Sequence, residues 1–164
     1  MLFRSVGHAG WNVVSEWPRH LSLLSGSSGL TNFREEFDAT IESKALGWVL
    51  RAIDSRNYYA MKLEIVTPGR DPVVVFKRFS VINGQDRDVA QVPLPSTSRL
   101  DTLYKIRMDA IGDQFTLWVG GRKVDQWTDP RLGAGSVGLF SDANERATVR
   151  GDVRVYQLAA SGEK

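Results

Sequence analysis

The sequence predicts an all-β protein: an antiparallel two-sheet β-sandwich or jelly roll. Three observations carry that expectation. Hydrophobic residues recur with a period of two rather than 3.6, the signature of strands with one wet face. Turn signals arrive at intervals of roughly 8–12 residues, as they do where short strands follow one another. No segment carries a convincing helical period, which leaves at most a turn near 98–103 or 144–147. With 164 residues, the chain has the length of one domain. We place that domain at residues 1–158 and read 159–164 as a frayed tail.

Each element has its own warrant. Phe3-Arg4-Ser5 reads as a strand already under way. In 33–43, Phe37, Ala39 and Ile41 alternate with Glu36, Asp38, Thr40 and Glu42, so one face is buried and the other wet. Residues 47–53 and 58–66 form a hairpin around the polar turn Asp54-Ser55-Arg56-Asn57. The turn 67–72, with two prolines, leads into a strand at 73–82 that ends at Asn83-Gly84, a strong tight-turn signal. Residues 85–101, with Pro93 and Pro95, read as a short strand and a connection. Strands follow at 103–111 and 114–119 around Gly112-Asp113, then at 123–128 after Gly120-Gly121. Asp129-Pro130 breaks the chain again, and the last strands are 136–141 and 149–158. Hairpins dominate, so the sheets are antiparallel.

Composition removes several chemistries. The chain has no cysteine, which excludes disulfides, zinc–thiolate and iron–sulfur sites and cysteine nucleophiles. Its net charge is +2, with bases and acids interspersed as in Asp86-Arg87-Asp88. A nucleic-acid binder would gather its bases on one stripe, so nucleic acid is not an expected partner. No apolar run approaches the ~20 residues that cross a bilayer, so the domain itself is not expected to contact membrane. The N-terminus has no signal-peptide layout. Taken literally the chain is cytoplasmic; behind an upstream signal or anchor it is extracytoplasmic, the location we prefer.

The second half has a recognisable cadence. The run from Leu103 to Val124 (LYKIRMDAIGDQFTLWVGGRKV), then Trp127-Thr-Asp-Pro130, then Gly133-Ala-Gly-Ser-Val-Gly-Leu-Phe140, resembles the concanavalin A-like lectin/glucanase superfamily. That group includes laminin-G-like modules and the domain related to 3-keto-disaccharide hydrolases. Gly47 to Tyr59 looks like its central hairpin, and like that of uncharacterised bacterial proteins carrying this domain behind a membrane anchor. The resemblance covers roughly residues 3–158 and implies a concanavalin A-like jelly roll. It says less about activity, because one fold hosts lectins, hydrolases and adhesion modules. Where many members have Asp-Gly in the hairpin turn, this chain has Gly120-Gly121.

Candidate chemistry is sparse. Laminarinase-type members of the superfamily set two glutamates closely around an aspartate on one strand. Here Glu36 and Asp38 are followed only by the more distant Glu42, about 20 Å from Glu36 along a regular strand. Retaining hydrolysis needs carboxyl groups about 5–5.5 Å apart, so the three read as a solvated face and no catalytic residue is assigned. His8 and His20, the two histidines, cannot make a three-histidine zinc site. The Ser-rich stretch Ser25–Gly29 is a turn rather than a nucleophile elbow. The resemblance also implies that calcium is a candidate cofactor at a sandwich rim, through Asp54, Asn57, Asp142 and Asn144. Turns favour Asp and Asn for backbone reasons alone, and no cofactor is required.

Aromatic residues are the remaining signal. Five of the 16 aromatic residues are tryptophans, and sugars stack on exposed rings beside charged hydrogen-bonding groups. Strand alternation places Trp118 opposite Phe115, Leu117 and Val119. It likewise sets Arg51 and Tyr58 apart from their apolar neighbours. A groove bearing Arg51, Tyr58, Arg107 and Trp118 follows, with Trp127 as a further ligand-binding candidate; Trp11, Trp48 and Phe115 read as core. The expected function is a non-enzymatic binding module whose partner is a glycan, cell-envelope material or another protein. A hydrolase using strand carboxylates and a purely structural or oligomerising domain are the alternatives.

Overall fold

The computed structural model describes residues 2–5 and 10–159, and these carry thirteen strands. In chain order they are β1 (Leu2–Ser5), β2 (Trp11–Ser15), β3 (His20–Leu24), β4 (Phe33–Ser43), β5 (Ala45–Asp54), β6 (Asn57–Thr67) and β7 (Val73–Ile82). There follow β8 (Gln85–Pro93), β9 (Tyr104–Ile111), β10 (Gln114–Val119), β11 (Arg122–Thr128), β12 (Ser136–Ser141) and β13 (Arg146–Gln157). One sheet has the order β1-β13-β4-β9-β10-β11, the other β2-β3-β12-β5-β6-β7-β8. Every pairing is antiparallel. The result is the expected two-sheet jelly roll, and the described residues contain no helix.

The alternation of apolar residues places the core between the layers. Phe33 and Phe37 of β4 meet Trp48 of β5 and Phe76 of β7, with the Phe37 ring edge-on to Trp48 at 5.8 Å and Trp48 stacked on Phe76 at 6.2 Å. Phe115 of β10 completes this layer against Tyr59, 5.2 Å away. Trp48 and Phe115 are buried as expected, and Trp11 packs partly buried against the same core. At the β7–β8 hairpin, Asn83 and Gly84 both have positive φ, 53° and 80°. That pair of angles is the type I′ turn which the Asn-Gly dipeptide favours.

Several elements depart from the sequence reading. β2 and β3 come from a stretch to which the sequence reading assigned no strand, and His20 opens β3; His8 lies outside the described residues. The Pro-flanked stretch after Gly84 is a full nine-residue edge strand, β8. β13 begins at Arg146 and accommodates a register shift between Arg150 and Arg154, with Gly151 at φ 78°. The tail expected from 159 lies, beyond Ala159, outside the described residues.

Candidate ligand-binding site

The seven-stranded sheet is apolar on both faces. Besides its core side it carries a second cluster on the outer one, where Val49, Tyr58, Ala60, Phe79, Val81 and Phe140 are all buried. A wet face of an antiparallel sheet would alternate to polar residues, so something must cover this one. The cover is built from charge. The Arg19 guanidinium lies over the rings of Phe79 and Phe140, 5.2 and 5.5 Å from their centroids, and Lys62 Nζ lies 5.6 Å from Phe140. Gly47 is part of the same fit. A Cβ there would sit 2.5 Å from the Phe140 carbonyl oxygen and 2.8 Å from its ring.

These cations are fixed by carboxylates. Arg19 donates through Nη1 and Nη2 to both oxygens of Asp86, each at 3.1 Å, and through Nε to Asp142 Oδ1 at 2.6 Å. It also donates to the Tyr58 hydroxyl at 3.3 Å. Lys62 Nζ donates to Asp142 Oδ2 and Glu145 Oε2, both at 2.7 Å, and the Asp142 N–H donates to Glu145 Oε1 at 2.9 Å. The chain Asp86–Arg19–Asp142–Lys62–Glu145 thus alternates in sign across the face. Burial works against the charge on Arg19, but hydrogen bonds to Asp86, Asp142 and Tyr58 outweigh it and hold the guanidinium above its ordinary value. Burial alone would raise Asp142; Arg19 and Lys62 reverse that and hold it below the usual carboxylate range. Tyr58 is raised, chiefly by burial.

Beside this network opens a pocket of about 530 Å³, lined by Trp17, Arg19, Tyr58, Asp86 and Asp142 among others. Trp17 stands at its edge with 84% of its surface exposed. An indole in this position offers a large apolar ring face with a polar N–H at its edge. The pocket therefore combines an apolar platform with pre-fixed donors and acceptors. Its carboxylates are both ion-paired with Arg19, an arrangement that leaves fixed acceptors for a ligand's hydroxyls.

The sequence candidates distribute unevenly around this site. Tyr58, read as a ligand contact, and Asp142, read as a calcium ligand, both line the pocket. Arg51 does not: it is only 1% exposed and points into the sandwich. The cause is local. Arg51 has φ 51° at a register shift in the β5–β6 pairing, so alternation breaks there. Its guanidinium donates to the carbonyls of Leu132 and Thr31 at 3.1 and 2.7 Å and faces the Phe115 ring at 5.0 Å. The groove expected to join Arg51 and Tyr58 with Arg107 and Trp118 is accordingly not formed. Arg107 and Trp118 lie on the outer face of the other sheet, guanidinium 4.1 Å from the indole centroid.

Trp127 is half-buried between Phe76, Phe115 and Arg78 at the rim where the two sheets' edges approach. Of the calcium candidates, Asp54 accepts from the Arg56 N–H and from Asn57 Nδ2, which closes the β5–β6 turn. Asn144 has φ 68°, and its carbonyl accepts from Ser43. Asp142 is already neutralised by Arg19 and Lys62. Among the described residues, no three His, Asp or Glu side chains group as metal ligands. Glu36 and Asp38 face Arg154 and Lys105 at 3.7 and 3.6 Å. Glu42 is held below the carboxylate range, first by the Thr148 hydroxyl and then by Thr40. Sequence reasoning missed Trp17, Arg19 and Asp86, the first two from a stretch to which it assigned no element and the third from an edge strand read as short.

Neither a family model nor a curated protein sequence matches the chain. Solved structures do match its fold. The carbohydrate-binding module CBM66 from Bacillus subtilis superposes with a TM-score of 0.68 at 21% identity, over 93% of this chain and 94% of the module. Galectin LEC-6 of Caenorhabditis elegans gives 0.60 at 11% identity, over 92% and 98%. A toad ovary galectin complexed with N-acetylgalactose gives 0.62 at 9%, over 78% and 95%. At these identities the likeness is one of fold, the jelly-roll sandwich of lectins.

Proposed function

We propose that this domain is a carbohydrate-binding module, and that its sugar occupies the pocket beside Trp17 on the outer face of the seven-stranded sheet. The observation that carries the reading is the 84%-exposed indole of Trp17 at the mouth of a pocket floored by the Arg19–Asp86–Asp142 network. A sugar ring presents an apolar face bordered by hydroxyls, and this pocket offers a platform bordered by immobilised charged donors and acceptors. Pre-fixing those groups lowers the ordering cost of binding. Lectins and a carbohydrate-binding module share the fold, which agrees with the reading. Arg19 and Lys62 against Asp86, Asp142 and Glu145 leave little net charge, so the expected ligand is a neutral sugar. Cell-envelope glycans lie outside the cytoplasm, and the same reading puts the domain there, on an anchored protein; the gene upstream of Met1 tests that part.

The test of the function is titration calorimetry against a panel of neutral oligosaccharides, with Trp17→Ala beside the parent. Loss of a central stacking residue costs about 2 kcal/mol, roughly thirtyfold in Kd. Trp17 is exposed, so the variant keeps the parent's melting temperature. A panel in which nothing binds, or a ligand indifferent to Trp17→Ala, refutes the proposal.

A further inference from the structure

The outer face of the six-stranded sheet has a different chemistry. Its strand register aligns five side chains in one straight row, Arg154 on β13, Glu36 on β4, Arg107 on β9, Trp118 on β10 and Lys123 on β11. Partners directly opposite in antiparallel strands project to the same side, so all five stand on one surface. Three cations meet one anion along the row. Its middle forms an open groove of about 350 Å³ lined by Glu36, Asp38, Lys105, Arg107, Trp118 and Arg154.

The row is built but not saturated. Arg154 and Glu36 stand 3.7 Å apart, and Arg107 reaches Asp109 only at 3.4 Å. Arg107 Nε is shielded from solvent and has no hydrogen-bond partner among the described residues. Its guanidinium carbon lies 4.1 Å from the centroid of the Trp118 indole.

The cations sit on alternate strands, two inter-strand steps apart, which is about 10 Å at the usual spacing of ~4.8 Å. That distance matches a disaccharide step in an extended polysaccharide. Glu36 and Trp118 occupy the intervening positions, where a second charge of the ligand would be repelled or left unpaired. We infer that this face binds an anionic polysaccharide whose carboxylated sugars alternate with neutral ones. Its carboxylates would lie over Arg154, Arg107 and Lys123, with a neutral sugar donating hydroxyls to Glu36 and another ring against Trp118. A nucleic-acid strand fits less well, because its phosphate at every residue would put charge over Glu36.

The experiment uses the whole chain and a hyaluronan octasaccharide, in which glucuronate alternates with neutral N-acetylglucosamine. Binding is read by calorimetry at low and at high salt. The inference expects an affinity that falls as salt rises, at least a tenfold loss when the carboxyls are reduced to alcohols, and a similar loss in Arg107→Gln combined with Arg154→Gln. Lys123→Gln, at an exposed position with no burden on the fold, weakens binding severalfold and keeps the test valid should the double variant unfold. Absence of binding at millimolar octasaccharide overturns the inference. So does equal affinity for the carboxyl-reduced chain, indifference to Lys123→Gln, or tighter binding of a thymidine oligonucleotide of equal charge.

Discussion

Glu35 is a carboxyl sealed in the core. It lies on β4 between Phe33 and Phe37, is 1% exposed, and its Oε1 has no hydrogen-bond partner among the described residues. Burial raises its pKa from 4.5 to about 8, because a charge there loses its water without gaining a counter-ion. Between those two values the folded protein holds a proton that the unfolded chain has released. Stability therefore falls as pH rises through that window, by about 1.4 kcal/mol per unit, and is flat with respect to this group below and above it. From pH 5 to 7.5 the loss is about 3 kcal/mol, a large part of the ~5–15 kcal/mol a domain has. For a chain of this size that lowers Tm by roughly 6–12 °C. Thermal melts of the parent and Glu35→Gln across pH 5–8.5 at constant ionic strength isolate the effect, since Gln keeps the shape and cannot ionise. The expected result is two curves that converge near pH 5 and separate above it, with the variant the more stable at pH 7.5. Parallel curves would refute the argument.

Two further outcomes follow from the packing. Gly47→Ala drives a methyl group to 2.5 Å from the Phe140 carbonyl; we expect a loss of about 3 kcal/mol or more in urea unfolding, and a loss under 1 kcal/mol would show that β12 can move aside. Arg131 bonds Asp129 and, at 2.8 Å, both Asp88 on β8 and the Ser80 hydroxyl on β7, so it ties the two sheets at their open edge. Arg131→Met should speed amide exchange selectively in β8 and β11, the local opening of an edge; uniform or unchanged exchange counts against the latch.

What the sequence made legible was set by period. β4, β7, β10 and β12 fall at the residues where alternation and turn dipeptides place them, because a one-residue slip would turn each hydrophobic set to water. Alternation even implied Glu35, which shares its face with Phe33 and Phe37, yet a carboxylate beside Glu36 reads as surface. Arg51 shows the opposite failure: one residue in the left-handed region reverses the facing, and no residue type announces it. The site itself was legible only in part. Tyr58 and Asp142 are 84 residues apart and are joined by Arg19, whose role depends on which strands neighbour each other rather than on any local pattern. Arg107 and Trp118, by contrast, belong to one hairpin, and their contact follows from its short turn.

The two outer faces of this sandwich place their cations under opposite constraints. On the seven-stranded sheet, Arg19 and Lys62 shield aromatic rings from water and are held by carboxylates, so neither is free to follow a ligand's charge. Such a surface distinguishes ligands by shape and hydroxyl geometry, and its affinity should vary little with salt. On the six-stranded sheet no outer apolar cluster is found among the described residues. Arg154 and Arg107 are half-exposed and Lys123 is exposed, and that surface should respond to charge spacing and to ionic strength. The difference begins in residue choice on strands of similar length: Val49, Ala60 and Phe79 project outward from one sheet, Glu36, Asp38 and Lys105 from the other. Because the strands between these faces pack their core independently of either, a change on one face should leave recognition on the other intact. The two proposed sites can therefore be tested one at a time in the same molecule.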